Sequence, residues 1–415
     1  MHPFHLWPRR LAAAVLAWGL ASPGPATALT LDETLRLAEA QAPSLAAQAA
    51  NLEAAHQSAI SAGALPDPRL SLGVLNLPIE GDPAWRLDRE GMTMQTVGLM
   101  QEVPNRAKRL ARTAAAGADI ELAHAQRRIA RLAVRQQASE AWIAARAVDD
   151  KLALFQQLHD ENRLFGRAVQ ARIAGGGGGA ADSVLPRQEA ALLGEREDEL
   201  LRNRAVARAA LKRWIGEAAG QPLTGPWPSW SREAAYYRQH LPRHAELEAY
   251  EPLVRQVEAR MQEALAEKRP DWAWAVEYGR RENLGDLLSL TVSLDLPLFA
   301  DSRQDPRIAA ARARLSQAEA EREVALRAHD QQLTSDLAEL QRLEDTLTRL
   351  DQTLLPLAEE KVRLAMADYR GGKGGLNAVV DARQALVETR LRRIDLERDR
   401  VLANARLHFS FGDDQ

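Results

Sequence analysis

Apolar residues recur at helical spacing through most of the chain, and the stretches that carry this period are long. The spacing predicts a first helix over about 31–64 and a counterpart over 232–268, each ending near a proline that disfavours its continuation. After each, the period drops to two. In the later pair of strands, Trp272, Trp274, Val276 and Tyr278 share one face, and Asp271, Ala273, Ala275, Glu277 and Gly279 the other. Leu288, Leu290, Val292, Leu294 and Leu296 likewise alternate with Leu287, Ser289, Thr291, Ser293 and Asp295, and the polar run from Gly279 to Asp286 supplies a turn. The earlier pair is less regular: Leu70, Leu72 and Val74 alternate with Ser71, Gly73 and Leu75, and Val97, Leu99 and Val103 with Thr96, Gly98 and Glu102. Pro104 and Pro297 close the strand pairs, and helical patterns then run over about 106–174 and 304–370. At 1.5 Å per residue each is a rod of roughly 100 Å. Glycine runs at Gly175–Gly179 and Gly371–Gly375 reverse the chain, and return helices follow over 180–214 and 376–408.

This order of elements occurs twice because the sequence is duplicated. The segment Tyr369–Gln384 matches Ile173–Gln188 at a constant offset of 196, an offset kept by Ile215-Gly216 and Phe411-Gly412. Ala42-Pro43-Ser44-Leu45 pairs with His244-Ala245-Glu246-Leu247, and Leu65-Pro66-Asp67 with Arg269-Pro270-Asp271, at offsets of 202 to 204, a drift that unequal loops produce. The expected organisation is a signal segment over 1–28, a first repeat over 29–219, a linker rich in Pro and Trp over 220–231, and a second repeat over 232–415.

The signal segment has a basic start at Arg9 and Arg10, an apolar run from Leu11 to Ala21, and Ala26-Thr27-Ala28 as a small-residue cleavage site. Its apolar run is too short to span a bilayer, and Pro23 and Pro25 break it where an uncleaved anchor would continue. With no cysteine in the chain, N-terminal lipidation, disulfides, thiolate metal centres and thiol catalysis are excluded. The net charge of -3 becomes -5 when Arg9 and Arg10 leave, which argues against a nucleic-acid partner. No G-x-S-x-G, H-E-x-x-H or P-loop lysine is present, so no enzyme activity and no cofactor are expected.

Strands of about ten residues with one apolar face suit a bilayer, where every edge must be paired. Four strands from one chain cannot close, but three chains supply twelve. The alternative is a small soluble sheet capping a coiled coil, against which stand Trp272, Trp274 and Tyr278, side chains suited to a membrane interface.

The chain resembles the TolC-type outer-membrane efflux proteins. The resemblance is carried by Leu31-Asp32-Glu33-Thr34-Leu35, Ala64-Leu65-Pro66-Asp67-Pro68, Gln101-Glu102-Val103-Pro104 with Lys108-Arg109, Leu296-Pro297-Leu298-Phe299, and the turn from Tyr369-Arg370-Gly371 to Val380-Asp381-Ala382. The Pro104 to Arg109 region looks most like the branch serving heavy-metal resistance pumps, the CzcC/CusC-like branch. The resemblance implies a mainly α fold with a membrane β-barrel contribution: a duplicated helix–strand–strand–long helix–helix unit, trimeric, with a twelve-strand β-barrel and a long α-helical barrel. It implies a passive outer-membrane exit duct of a Gram-negative bacterium reaching into the periplasm. Its partners would be a homotrimer, a periplasmic adaptor, an inner-membrane RND-type pump and outer-membrane lipid, and its cargo heavy-metal cations. A periplasmic coiled-coil adaptor or scaffold is the other reading.

The family also implies adaptor-contacting helical tips, here Gly175, Gly176, Tyr369, Arg370, Gly371 and Gly372, and a periplasmic gate built on Asp-x-x-Asp-Ala. Asp381 and Ala382 match that motif but Ala378 stands where its first carboxylate belongs, and Asp182 holds the position equivalent to Ala378 in the first repeat. Three copies of Asp381 around a narrow opening would favour cations. An ordinary helix-start aspartate, stabilised by the helix dipole, is the plainer reading. His240 and His244 are four apart but separated by Pro242, and no metal site is assigned there. Met92, Met94 and Met100 lie in the second strand, where thioethers could meet a soft ion, although pore lining or lipid packing is the commoner use.

Overall fold

The structure is a computed structural model that describes residues 28–230, 232–282 and 284–412. The expected signal segment, apart from Ala28, lies outside the described residues.

The first predicted helix is two helices, α1 (Leu31–Gln41) and α2 (Pro43–Ser61). Pro43 holds Ala42 in an extended conformation, with ψ 113°, so the first helix stops there and Pro43 starts the next. The counterpart also divides, into α5 (Ala234–His240) and α6 (Ala245–Ala266), across a tight turn that contains Pro242. His244, with ψ 130°, begins α6 as Ala42 begins α2. Repeat-aligned residues therefore occupy the same structural position.

Strands β1 (Arg69–Leu75), β2 (Met94–Val103), β3 (Trp272–Arg280) and β4 (Leu287–Leu294) form one antiparallel sheet in the order β1-β2-β3-β4. The hairpins of the two repeats are joined through β2 and β3, with Val97 opposite Tyr278 and Val103 opposite Trp272. Leu296, assigned to a strand by its alternation, falls beyond β4, and Met92, expected in the second strand, lies just before β2.

From the sheet, α3 (Arg106–Ala174) runs 69 residues without a break. Asn105 caps it by accepting from the Lys108 N–H at 3.0 Å. The same residue donates to Asp271 Oδ1 from its backbone N–H at 2.7 Å and from its side chain at 2.8 Å, and Lys108 Nζ lies 3.1 Å from Asp271 Oδ2. Burial pushes the Asp271 carboxyl up, but the Asn105 N–H and the Lys108 ammonium outweigh it and leave it below the usual carboxylate range. The start of the first rod is thereby tied to the start of β3 in the other repeat.

The second rod is not continuous. It consists of α7 (Gln304–Arg349), a wide π-type turn over Leu350–Leu354, and α8 (Leu355–Arg370). Pro356 has no N–H to donate, and its ring would meet the carbonyl one turn back; the wider turn makes room for it. The return helices are α4 (Leu185–Ile215), entered through a short tight turn at Ala180–Ser183, and α9 (Leu376–Phe411).

Midway along α3, the linker, α1 and the ends of α4 and α9 form a belt. Leu29, Trp142, Ile143, Leu211, Ile215, Leu223, Val401 and Phe409 share one buried cluster, against which Trp227 and Trp230 pack. Leu29 and Leu223 form a parallel bridge, and Trp142 Nε1 donates to the Leu29 carbonyl at 3.3 Å. The segment read as a linker is thus part of the core.

Candidate functional site

The two glycine reversals have the same construction. Gly175 N–H donates to the Ala171 carbonyl at 3.1 Å and Gly371 N–H to Ala367 at 2.9 Å. Gly177 donates to Arg172 at 3.0 Å and Lys373 to Asp368 at 2.9 Å. Gly176 and Gly372 take φ of +78° and +71°, a region a side chain occupies only with strain. This is the physical reason glycine recurs at the same offset.

The reversals lie side by side. The Arg172 guanidinium stacks 4.0 Å from the Tyr369 ring centroid, donates to the Tyr369 carbonyl, and reaches Gly177 O through Nε at 2.6 Å. Tyr369 is buried in a cluster with Phe165, Val169, Leu376, Val379 and Val380, so within one chain its ring ties the two tips together. Burial first, then the nearby Asp182 carboxylate, raises its phenol against the opposing pull of Arg172. Gly175, Gly176, Arg370, Gly371 and Gly372 are exposed.

Asp381 is exposed in the second turn of α9, directly before the fully buried Ala382, and among the described residues it has no ion-pair partner. Asp182 is half-buried and accepts from the Gly179 N–H at 3.2 Å, which closes its own turn. Behind the tips, Glu189 of α4 and Arg383 of α9 form a buried ion pair at 3.0 Å, with Arg383 4.8 Å from the Phe165 ring centroid. A groove of about 380 Å³ opens between α8 and the start of α9, lined by Leu357, Leu364 and Ala378 among others.

At the other end of the rods, strand register sorts the sheet into two chemistries. Residues directly opposite share a face, so Leu70, Leu72, Val97, Leu99, Val276, Leu290 and Val292 form one apolar surface. Ser71, Gly73, Thr96, Gly98, Ala275, Ser289 and Thr291 form the reverse. Leu72 and Leu290 are 73% and 76% exposed, so among the described residues nothing covers the apolar side. Trp272 and Trp274 lie toward the rod end of β3. Tyr278 lies toward the far loop, where its hydroxyl donates to Asp286. About 20 Å of strand separates Trp272 from Tyr278. Met94 and Met100 are six positions apart on the small-residue face, too far along the strand to share an ion.

His240 and His244 are not brought together as a pair of ligands: His240 stacks on Tyr236, with ring centroids 4.1 Å apart. His244 instead meets His329 of α7, with Glu246 beside both. Burial first, then the His329 charge, lowers the His244 imidazole to about 4. Sequence reading missed this grouping because more than 80 residues separate His329 from the other two. It missed Arg172 and the Glu189–Arg383 pair for a related reason: the repeat equivalents of Arg172 and Glu189 are Asp368 and Ala385, so duplication gives no hint of them.

Rods that end in paired glycine reversals at one end and an amphipathic sheet at the other define a subunit of a membrane conduit. The model of the outer membrane efflux protein family matches residues 34–217 and again 236–413, and the chain belongs to that family. No match was found among curated proteins. Solved structures share the fold. VceC from Vibrio cholerae is 17% identical, with TM-score 0.75 over 92% of this chain and 96% of that one. A membrane protein from Pseudomonas aeruginosa is 20% identical, with TM-score 0.79 over 92% and 90%. CusC, whose structures are described in terms of transmembrane channel formation, is 15% identical, with TM-score 0.78 over 92% of each chain. The chain is therefore an outer-membrane efflux protein, and the reading as a periplasmic coiled-coil adaptor or scaffold is set aside. Among the described residues no helix is long and apolar enough to cross a membrane.

Proposed function

We propose that three copies of the chain close their sheets into a twelve-strand barrel and act as the passive, non-enzymatic exit duct of a tripartite pump. The observation that carries this reading is the four-stranded sheet itself, which among the described residues has a bare apolar face and has β1 and β4 each paired on one side only. In lipid those edges must be satisfied, and rotation of the same edge pair about one axis satisfies them without a new surface. The apolar face then meets lipid, the small polar face lines the lumen, and Trp272 with Trp274 and Tyr278 mark the two membrane interfaces.

The glycine tips would form the periplasmic mouth. Gly175, Gly176, Arg370, Gly371 and Gly372 would offer backbone and charge to a periplasmic adaptor joined to an inner-membrane RND-type pump, with Tyr369 holding the paired tips in place. Asp381 would be the gate carboxylate, and Asp182, already used by its own turn, the weaker contributor. The cargo we assign, heavy-metal cations, rests on the sequence resemblance of the Pro104 to Arg109 region.

Light scattering of the protein in a mild detergent tests the assembly. A trimer that keeps its strand signal is expected; a monomer that keeps the same signal would overturn the duct.

A further inference from the structure

His244, Glu246 and His329 form a grouping that the duct does not use. His244 begins α6, Glu246 follows two residues on, and His329 stands on the facing side of α7. One ligand atom from each lies within 4.8 Å of the others. His329 Nε2 is 3.0 Å from Glu246 Oε2, and the two imidazole centroids are 3.8 Å apart. A tetrahedral ion held at about 2.0–2.2 Å spaces its ligands by about 3.3 Å, so small rotamer adjustments bring these three atoms around one centre.

We propose that His244, Glu246 and His329 form a binding site for a borderline divalent cation of the Zn(II), Co(II) or Ni(II) class, with a fourth position open to solvent. Two imidazoles with one carboxylate suit these ions, whereas Mg(II) and Ca(II) seek oxygen donors. His244 is buried, His329 half-buried and Glu246 exposed, so the ion has an inner wall and an entry side.

A plain structural pairing is the competing account. The Glu246 N–H donates to His244 Nδ1 at 3.3 Å, a long hydrogen bond. An ion at Nδ1 would replace it, and an ion at Nε2 would require the other tautomer and its loss. Either way the ion would fasten α6 to α7 where the Phe411 ring, 5.2 Å from that of His244, ends α9. This inference stands apart from the duct reading, since it needs only residues of one chain.

The test uses tag-free, chelator-treated protein titrated with Zn(II), Co(II) and Ni(II) by calorimetry, with visible absorption of the Co(II) form. One ion per chain, a tetrahedral Co(II) spectrum and a raised melting temperature are expected. His329→Ala and Glu246→Gln should each weaken affinity at least about tenfold, while His240→Ala leaves it unchanged. The metal-free melting temperature of each variant reports that it is folded. No stoichiometric ion in the parent protein, or unchanged affinity in folded His329→Ala, would overturn the site.

Discussion

The two repeats agree at their ends and differ in the middle of their rods. Their glycine reversals share hydrogen bonds position by position, and their hairpins merge into one sheet, whereas α3 is unbroken and α7 and α8 are divided by a π-type turn. At equivalent places, Leu158 is 2% exposed in a cluster with Phe155, Leu193, Leu200 and Val387, while Leu354 is 43% exposed. The rod α3 lies inside the protomer, packed on α2, α4, α6 and α9, while α8 meets mainly α9. Packing on several sides keeps α3 unbroken. At the margin a proline and a wide turn are tolerated, because fewer neighbours are disturbed there. Duplication thus preserved the parts whose geometry backbone sterics fix, and let the rods diverge with their neighbours.

The sharpest break of this comparison is the same substitution at both places. Leu158→Ala should cost about 4 kcal/mol, within the range for a fully buried leucine, and Leu354→Ala no more than about 0.5 kcal/mol. Melting of the detergent-solubilised variants measures both. Equal losses would mean that Leu354 is covered in the assembly, so the outer rod would be a buried element too. The second contrast pairs Glu189, buried at 4% of its exposure against Arg383, with Arg187, the exposed repeat equivalent of Arg383. Glu189→Gln leaves a buried guanidinium without its counter-charge and should cost about 3 kcal/mol. Arg187→Ala should be near neutral in the same melt.

The junction between repeats gives a smaller, pH-dependent effect. Because Asp271 is held below its unfolded range, the stability it adds is fully present above the unfolded carboxylate pKa of about 4 and is lost as pH falls through the lower folded value. Asp271→Asn should therefore lower stability by about 1 kcal/mol at neutral pH, discounted for the partial exposure of the Lys108 pair. The gap from the parent protein should close as melts are repeated toward pH 3. A gap that is constant with pH would assign the loss to packing instead of charge.

These contrasts also show what the sequence could convey. Rods, reversals and hairpins are written in local periods and in glycine spacing, so Trp272 to Tyr278 and Gly371 to Gly375 announce themselves. The break at Ala42-Pro43 was not read, because a proline is at home in a helix's first turn and the apolar period continues across it. The turn at Leu350–Leu354 was missed because the period also continues through Pro356, and only the packing around the rod decides whether it bends. The joining of β2 to β3, the stacking of Arg172 on Tyr369 and the tie between Asn105 and Asp271 all cross from one repeat to the other. No local pattern specifies such pairs.

The least costly change in folding terms bears most directly on transport. Asp381 is exposed, has no ion-pair partner among the described residues, and precedes a buried alanine in a helix, so Asp381→Ala should shift stability by no more than about 0.5 kcal/mol. If three copies line the closed mouth, their mutual repulsion favours a multivalent cation among them. The variant should then show reduced cation preference and weaker block by multivalent cations in a planar-bilayer recording. Asp182→Ala should act less on conduction and more on the tip, since its carboxylate closes the turn at Gly179. Measuring the double variant separates two coupled rings, whose effects are not additive, from two independent residues. Unchanged selectivity and block in Asp381→Ala would leave Asp381 as an ordinary residue near the start of α9 and move the gate away from this turn.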